Sequence, residues 1–201
     1  MDKADLEIII SILTAAFEQN PRFQAVIKKK NPSRSIRHMS EYAYHLMDRL
    51  DGIYLSQDKT TVLFYYIKKQ YNRTLRDYLR YGRMFLKAIR PSRYLPTIRR
   101  EKHMAKLRLG YEDYIYVWVL GSVPHNKSLK GLADIRDHLF GLSEKLQLPI
   151  LIETAVERLR KLYQYVGFEE YRKWEDKEAG INVWFMERKV HPPKRIIKGK
   201  D

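Results

Sequence analysis

The stretch from Leu148 to Phe168 constrains the fold of this chain more than any other part of the sequence. It opens with the apolar run Leu148–Ile152, which is too short for a buried helix and therefore predicts a buried strand. Apolar residues spaced three and four apart then predict a helix: Val156, Leu159, Leu162 and Val166. Gly167 supplies the positive φ that ends such a helix, and Phe168 begins another extended segment. The stretch therefore encodes a strand, a helix and a second strand in direct succession.

A second strand–helix unit precedes this stretch. Residues 111–123, YEDYIYVWVLGSV, carry apolar or aromatic side chains at both alternating sets of positions. A strand of this kind is covered on both faces and belongs in the middle of a sheet. Pro124 ends the strand, and an apolar stripe predicts a helix from about Ser128 to Leu146. Because this helix joins two strands, we expect a parallel crossover whose helix start can hold an anion.

The remaining elements lie on either side of these two units. They are helices at 3–18 and 34–50, extended runs at 53–57 and 60–68, and a closing hairpin of 169–175 with 181–188. A basic, proline-containing tail follows at 191–201. Together these patterns predict a single α/β domain over residues 1–190, with a central mixed sheet and helices on both of its faces.

Composition narrows the class of protein. Hydrophobic residues make up 44% and aromatic residues 12% of the chain, which is enough for a folded core. Cysteine is absent, which excludes disulfides, thiolate metal sites and a cysteine nucleophile. No pair of histidines has zinc-site spacing, so we expect no metal. We also expect a cytoplasmic protein, because no signal peptide or membrane-spanning run is visible.

The net charge of +15 favours anionic partners such as nucleic acid, an anionic membrane surface or a polyphosphate cofactor. Residues 68–108 hold 14 Lys or Arg against two acids. Six of these cations step by three and four along a predicted helix: Arg73, Arg76, Arg80, Arg83, Lys87 and Arg90. The apolar residues predicted to pack on the protein from the same helix are Leu75, Tyr78, Leu79, Phe85, Leu86 and Ile89. A second helix is predicted from about Thr97 to Leu109.

Several interpretations of this basic ridge remain open. It is either a solvated face, a surface that selects an acidic substrate, or a surface that follows a phosphate backbone. Tyrosines interleaved with the cations are candidates for stacking on bases: Tyr71, Tyr78, Tyr81 and Tyr94. A membrane-surface role is disfavoured, because the apolar face of the helix resembles core rather than a lipid anchor.

Residues 162–168, LYQYVGF, resemble the second half of the acetyl-CoA-binding core of the GNAT acyltransferase superfamily. In that family a strand ending in Glu-Thr precedes a short helix and the pattern Leu-Tyr-x-x-x-Gly-Phe, and this chain matches every fixed position. The resemblance continues at Val123-Pro124, followed by Gly131 and Ala133 at the family's Gly-x-Gly/Ala positions. It covers residues 110–188 well and the front of the chain loosely. Residues 68–108 then form a basic helical insertion between the family's third and fourth strands.

The resemblance implies a GNAT-like fold with acetyl-CoA as the acyl donor. It places the CoA pyrophosphate on backbone N–H groups at the start of the helix after Pro124, and the thioester carbonyl beside the preceding strand end. Two lysines replace glycines that many members carry, and they add positive charge for phosphate. The implied acetyl-CoA-binding residues are Leu120, Gly121, Ser122, Val123, Lys127, Ser128, Leu129, Lys130, Gly131, Leu132 and Ala133.

Acyl transfer from a thioester to an amine needs a base for the amine, donors for the oxyanion and an acid for the leaving thiolate. The resemblance places Tyr163 at the position of the general acid. For the base, the sequence leaves several carboxylates open: Glu112 and Asp113 before the central strand, and Glu153 at the end of the next strand. Glu153 is alternatively a cap for the following helix. An Asn that related enzymes often carry is absent from residues 155–161.

Two functions from different classes follow. The first is an N-acetyltransferase that moves an acyl group, most simply acetyl, from acyl-CoA to an amine. Its acceptor is expected to be anionic or neutral rather than strongly cationic, since the chain itself is basic. The second is a GNAT-fold protein without catalysis that binds nucleic acid or another polyanion through its basic insertion. Both are compatible with a monomer or a homodimer.

Overall fold

The computed structural model describes most of the chain, namely residues 3–18, 20–108, 110–124 and 128–190. The predicted tail at 191–201 and Lys127 lie outside these residues. The helices are α1 (Lys3–Phe17), α2 (Pro21–Gln24), α3 (Pro32–Arg49), α4 (Leu75–Ala88), α5 (Tyr94–Leu107), α6 (Lys130–Leu146) and α7 (Glu157–Tyr165). The strands are β1 (Ile53–Leu55), β2 (Thr61–Ile67), β3 (Ile115–Ser122), β4 (Ile150–Thr154), β5 (Glu169–Asp176) and β6 (Ile181–Arg188).

The strands form one mixed sheet in the order β1-β2-β3-β4-β6-β5. β3 and β4 run parallel, as predicted for two strands joined through α6, and the other neighbours are antiparallel. The mixed sheet, the interior position of β3 and both hairpins are therefore confirmed. The closing hairpin places β6 beside β4, so β5 forms the edge of the sheet.

β3 begins at Ile115 rather than at Tyr111, where the sequence predicted its start. The carboxylate of Asp113 accepts hydrogen bonds from the backbone N–H groups of Lys69 and Tyr114, at 3.0 and 2.9 Å. An aspartate that binds nearby backbone in this way favours a turn over a strand. Glu112 and Asp113 therefore belong to the turn that leads into β3.

Helices cover both faces of the sheet, as predicted. The α6 and α7 face buries a core that includes Leu63, Ile115, Val117, Ile135, Leu139, Ile152, Tyr163 and Trp184. The opposite face, under α1, α3 and α4, buries a second core that includes Ile9, Leu13, Leu46, Val62, Phe64 and Phe85. None of the helices in the described residues is long and apolar enough to cross a bilayer.

α4 buries only part of the face that the sequence predicted, since Phe85 and Ile89 are buried as predicted and four other residues are not. Thr74 and Asp77 form a reciprocal capping box at its start, and Asp77 also binds Arg49 of α3 at 2.8 Å. This buried ion pair turns one side of α4 toward α3, where the buried apolar residues are Met84, Phe85 and Ala88. The predicted core residues that are instead exposed, at 57% or more, are Leu75, Tyr78, Leu79 and Leu86. Apolar residues occur on two faces of this helix, and the partner of Asp77 decides which face is buried.

The basic ridge of α4 is shorter than predicted. Arg73 donates a hydrogen bond to the Tyr71 hydroxyl at 2.8 Å and lies 5.3 Å from the ring of Tyr81. Arg90 donates a hydrogen bond to the backbone carbonyl of Ala25. The ridge cations that remain exposed are Arg76, Arg83 and Lys87. Of the six predicted cations, three are therefore exposed, and Arg73, Arg80 and Arg90 are half-buried.

The tyrosines proposed to stack on bases are mostly packed on the protein. Tyr71, Tyr81 and Tyr94 contact the core beneath α4. The rings of Tyr81 and Tyr94 lie 4.6 and 5.6 Å from the ring of Phe85. Tyr78, predicted to face the core, is 57% exposed. These side chains thus contribute mainly to the attachment of the insertion.

α5 lies across the sheet on the side of α1 and α3. Met104 is buried and packs with Val183 and Phe185 of β6. Arg22, which follows α1, donates to the Met104 sulfur at 3.5 Å. The insertion at 68–108 therefore covers this face instead of projecting from the domain.

Candidate active site

The two parallel strands stop pairing before either of them ends. β3 and β4 pair from Ile115–Ile150 to Val117–Ile152. Beyond this point β3 stays with β2 as far as Ser122, whereas β4 stays with β6 as far as Thr154. The strands therefore separate and open a cleft at this end of the sheet. Their facing backbone groups are not used by the sheet there, so they are available to a ligand.

Residues 120–123 form the β3 side of this cleft. The N–H of Val123 donates to the carbonyl of Thr60 at 2.9 Å, which holds this end of the strand to β2. Gly121 lies under α1, where a Cβ atom would come within 2.8 Å of Leu13 Cδ2. The end of β3 is thus held by β2 along one edge and covered by α1 on one face. Its other edge, which faces β4, makes no strand pairing.

The first turn of α6 follows the end of β3 in the chain. Ser128 Oγ accepts a hydrogen bond from the N–H of Lys130 at 3.3 Å. The first i→i−4 hydrogen bond of the helix joins Ala133 to Leu129 at 2.9 Å, so the two N–H groups before it have no acceptor within the helix. The exposed Lys130 adds a positive charge at the same end. These groups favour an anion at the helix start. The carboxylate of Asp58 opposes one, since its Oδ1 lies 2.9 Å from where a Cβ atom of Gly131 would be. The pyrophosphate site remains a prediction.

Gly131 allows α6 to approach the hairpin of β1 and β2. A Cβ atom at this position would lie 2.5 Å from Thr60 Oγ1, which is too close for any side chain. Asp134, one turn further along, accepts hydrogen bonds from the Gln57 N–H at 2.7 Å and from the Tyr54 hydroxyl at 2.9 Å. The glycine and the aspartate together fix the position of the helix start relative to the sheet.

We expect Gly131→Ala to destabilise the protein by about 1–3 kcal/mol, because the added methyl group overpacks the contact with the hairpin. Gly141 is a matched control on the same helix, since a Cβ atom there meets nothing within 4 Å. Gly141→Ala should instead stabilise the protein by about 0.5–1 kcal/mol through helix propensity. Urea unfolding followed by circular dichroism measures both. Equal effects of the two changes would contradict the close packing at Gly131.

Tyr163 lies on the α6 and α7 face of the sheet. Its side chain is buried, and its ring centroid is 5.7 Å from that of Phe168. Burial raises the pKa of its phenol above the ordinary value, so the hydroxyl is protonated at neutral pH. Such a group can donate a proton to a stronger base, and this is the chemistry that a general acid needs.

Glu153 lies on the opposite face of β4 from Ile152, because side chains alternate along a strand. Arg108 Nε donates to Glu153 Oε1 at 2.7 Å, and Arg108 Nη2 donates to the Tyr116 hydroxyl at 2.8 Å. The Glu153 side chain is 5% exposed and that of Arg108 is 18% exposed. Glu153 is therefore held in a buried ion pair and does not cap α7, whose N-cap residue is Val156.

Glu112 lies away from the cleft. It belongs to the turn before β3, at the end of the strand that is still paired with β4. Its side chain is 87% exposed and contacts Lys69 Nζ at 2.5 Å. The structure thus separates Glu112 from Tyr163 and Glu153, and Asp113 remains with it in the turn.

Solved structures with the same architecture include several acetyltransferases and one condensation domain. The latter is the C-terminal condensation domain of Ebony in complex with beta-alanyl-dopamine, which matches with a TM-score of 0.64, over 94% of this chain and 96% of its own, at 6% identity. A histone acetyltransferase-related acetyltransferase from Corynebacterium glutamicum matches with a TM-score of 0.67, over 97% of this chain and 96% of its own, at 16% identity. A putative arylalkylamine N-acetyltransferase from the mosquito Aedes aegypti matches with a TM-score of 0.61, over 95% and 86%, at 13% identity. A putative acetyltransferase of the GNAT family from Desulfovibrio desulfuricans matches with a TM-score of 0.51, over 94% and 95%, at 12% identity. This chain has the GNAT fold.

The GNAT fold predicted from the strand–helix units is thereby confirmed. No protein-family model and no curated protein matches the sequence. The similarity to the Corynebacterium structure is therefore one of fold rather than of sequence, and it extends over 97% of this chain.

The insertion adds a carboxylate to this GNAT fold that sequence analysis did not single out. Glu101 on α5 accepts a hydrogen bond from the Tyr81 hydroxyl at 3.0 Å. Glu101 is exposed to solvent, although the surrounding protein partly desolvates its carboxylate. This desolvation raises the pKa of Glu101 above the ordinary value, although the Tyr81 hydrogen bond and the charges of Arg73 and Arg108 oppose it.

Aromatic rings connect Glu101 to the separated part of β3. Trp118, the first residue of β3 beyond its pairing with β4, lies 6.4 Å from Tyr42, and Tyr42 lies 5.5 Å from Tyr81. Tyr81 in turn hydrogen-bonds Glu101. One sequence property could have identified Glu101, namely its position as one of two acids among residues 68–108. Its relation to the cleft depends on how α5 folds over the sheet.

Proposed function

We propose that this protein transfers an acyl group, most simply acetyl, from acyl-CoA to an amine. The observation that carries the proposal is the separation of β3 from β4 in a fold shared with acetyltransferases. Tyr163 lies on one face of the sheet, and Glu153 and the insertion that carries Glu101 lie on the other face. An acyl donor and an amine that meet in the cleft would then have an acid on one side and carboxylates on the other.

On the donor side, the start of α6 and Lys130 would hold the pyrophosphate of CoA. Those backbone N–H groups of residues 120–122 that point away from β2 would stabilise the oxyanion that forms on the thioester carbonyl. As the amine nitrogen bonds to the carbonyl carbon, the C–S bond breaks, and the Tyr163 phenol donates its proton to the leaving thiolate. Burial keeps this proton on the phenol until the thiolate forms.

On the acceptor side, we assign the general base to Glu101. Its raised pKa brings its basicity closer to neutral pH, where proton transfer from an amine is most effective. Glu153 is a weaker candidate, because Arg108 binds its carboxylate directly. In this assignment the ion pair of Glu153 and Arg108 supports the acceptor side of the cleft from below. Glu101 removes the proton of the amine directly or through water.

The test is isothermal titration of acetyl-CoA into the purified protein and three variants. We expect wild type to bind, and Lys130→Glu to lower the affinity at least about tenfold, or about 1.4 kcal/mol, by repelling the pyrophosphate. Tyr163→Phe should bind as wild type does but fail in transfer, since it keeps the ring and loses the proton. Lys102→Glu, a charge reversal at an exposed position of α5, is the control and should leave binding unchanged. No binding by wild type would overturn the proposal.

The second candidate function is polyanion binding without catalysis. The observation in its favour is that Arg76, Arg83 and Lys87 remain exposed and aligned on α4. Titration with double-stranded DNA at low and high salt separates the two functions, because phosphate binding weakens steeply with salt. Salt-sensitive DNA binding in a protein that does not bind acetyl-CoA would favour this candidate.

A further inference from the structure

A cavity of about 320 Å³ lies between the start of α5, the segment that follows α2 and the turn between β5 and β6. A cavity of this volume is at the lower end of the range for small-molecule sites. Most of its charged side chains are cationic. The polar residues that line it include Lys29, Arg90, Arg93, Thr97, Arg100 and Asp176.

Several buried hydrogen-bond donors on this cavity have no acceptor in the part of the chain that the structure describes. They are Arg90 Nε, Thr97 Oγ1, Arg100 Nε and Arg100 Nη2. Arg100 Nε is nevertheless held in an ion pair with Asp176, whose Oδ2 lies 3.0 Å away, so the donors that remain are Arg90 Nε, Thr97 Oγ1 and Arg100 Nη2. Buried donors are nearly always satisfied in folded proteins, so three residues with free donors on one cavity indicate a missing acceptor.

The charges around the cavity point to an anion as that acceptor. Four cations line it against two acids, Asp176 and Glu178. Glu178 is 3.7 Å from Arg93, while Asp176 also accepts a hydrogen bond from the N–H of Ala179 at 3.1 Å. Burial lowers the pKa of Arg100 and the nearby Arg22 lowers it further, while Asp176 opposes both. A bound carboxylate or phosphate would supply both the charge and the acceptor atoms.

The cavity lies at the same end of the sheet as the cleft. β4 runs antiparallel to β6, so the C-terminal end of β4 at Thr154 lies toward the start of β6 at Ile181. The β5–β6 turn, which borders the cavity, immediately precedes Ile181. Arg100 also adjoins Glu101 in α5. A small molecule anchored in the cavity could therefore extend toward the acceptor side of the cleft.

We propose that this cavity binds the carboxylate or phosphate group of the acyl acceptor, which is then a small amine that carries an anionic group. Arg100 and Arg90 pair with the anion, and the Thr97 hydroxyl donates a hydrogen bond to it. The role of the bound molecule as acceptor rests on the proposed acyltransferase function. The binding of the anion does not, and it can be measured without acetyl-CoA.

The test compares amines that differ only in the anionic group. β-Alanine is compared with propylamine, and O-phosphoethanolamine with ethanolamine, by isothermal titration into the full-length protein. We expect at least one anionic amine to bind about tenfold or more tightly than its neutral counterpart, and the pair that shows the difference identifies carboxylate or phosphate. Equal binding within both pairs, or no binding of any of the four, would overturn the inference.

Two variants locate the binding. Arg100→Ala should abolish the preference for the anionic amine, whereas Arg99→Ala, which changes an exposed neighbour on the same helix, should retain it. Thr97→Val should weaken the anionic amine several-fold without lowering the thermal midpoint of the free protein, since the hydroxyl has no partner there. This second variant keeps the test decisive if Arg100→Ala fails to fold. An unchanged preference in Thr97→Val and Arg100→Ala would overturn the site.

The outcome is distinguishable from a failure of the acyltransferase proposal. If acetyl-CoA binds and the anionic amines do not, the function stands and the cavity assignment is wrong. If the anionic amines bind through Arg100 and acetyl-CoA does not bind, the cavity is an anion site of a protein with another function.

Discussion

Glu101→Gln is expected to lower kcat for acyl transfer by about 100-fold or more, because the amide cannot accept the proton of the amine. Affinity for acetyl-CoA should not change, since Glu101 lies on the opposite face of the sheet from Tyr163. The measurement is single-turnover transfer from acetyl-CoA to an amine chosen from an acceptor screen. Glu144→Gln, an exposed change on α6, is the control and should retain full activity.

The pH dependence gives a second readout of the same residue. A general base works only when ionised, and the pKa of Glu101 is raised by burial. The acidic limb of the wild-type pH profile should therefore lie above the usual range of a glutamate, and Glu101→Gln should remove it. A variant with normal kcat and an unchanged acidic limb would show that another group is the base.

Stability should change in the opposite sense to activity. A carboxyl group whose pKa is higher in the folded than in the unfolded chain stabilises the fold below its unfolded pKa. That contribution is lost as pH rises through the folded pKa. At neutral pH Glu101 is therefore destabilising, and Glu101→Gln should leave the thermal midpoint equal or higher. Residues retained at the expense of stability are typical of functional sites.

Arg108→Ala is expected to destabilise the protein by about 3–5 kcal/mol, because it leaves the carboxylate of Glu153 buried without its partner. The Glu153 side chain is 5% exposed, so water can replace little of the lost interaction. The change also removes the cation that lies 4.0 Å from the ring centroid of Tyr116. Denaturant unfolding measures the difference in free energy of unfolding.

The matched experiment is the double variant Arg108→Ala with Glu153→Gln. It removes the buried charge together with its partner, so it should recover a substantial part of the lost stability. A double variant as unstable as Arg108→Ala alone would show that the loss comes from packing on Tyr116. Together the two variants measure how much the ion pair of Arg108 and Glu153 contributes to the free energy of unfolding.

Local patterns in the sequence were sufficient for the framework of the domain. Gly167 adopts a φ of 97°, as the end of α7 requires, and Phe168 leads into β5 as predicted. The two apolar sets of residues 115–122 correctly indicated an interior strand. These predictions succeeded because periodicity, turn residues and helix ends depend on neighbours a few positions apart, which are visible in a single sequence.

Only the tertiary structure decided which side chains share a site. The helix α4 was predicted, but its orientation was not: Asp77 pairs with Arg49 of α3 on its buried side, and Leu75, Leu79 and Leu86 are exposed. Two glutamates show the same dependence on packing: Glu112 lies in an exposed turn beside Lys69, and Glu101 lies on α5, where it accepts a hydrogen bond from Tyr81.

The sequence by itself determined the order of elements, the mixed sheet and the parallel pairing of the two strands joined through α6. It did not determine the cavity at Arg100 or the carboxylate on α5. Both arise from the path of residues 68–108 over the sheet, which is set by contacts between residues far apart in the chain, such as Arg108 with Glu153. Such contacts leave no periodic pattern in the sequence, because they form only when the helices pack on the sheet and bury the charged groups together.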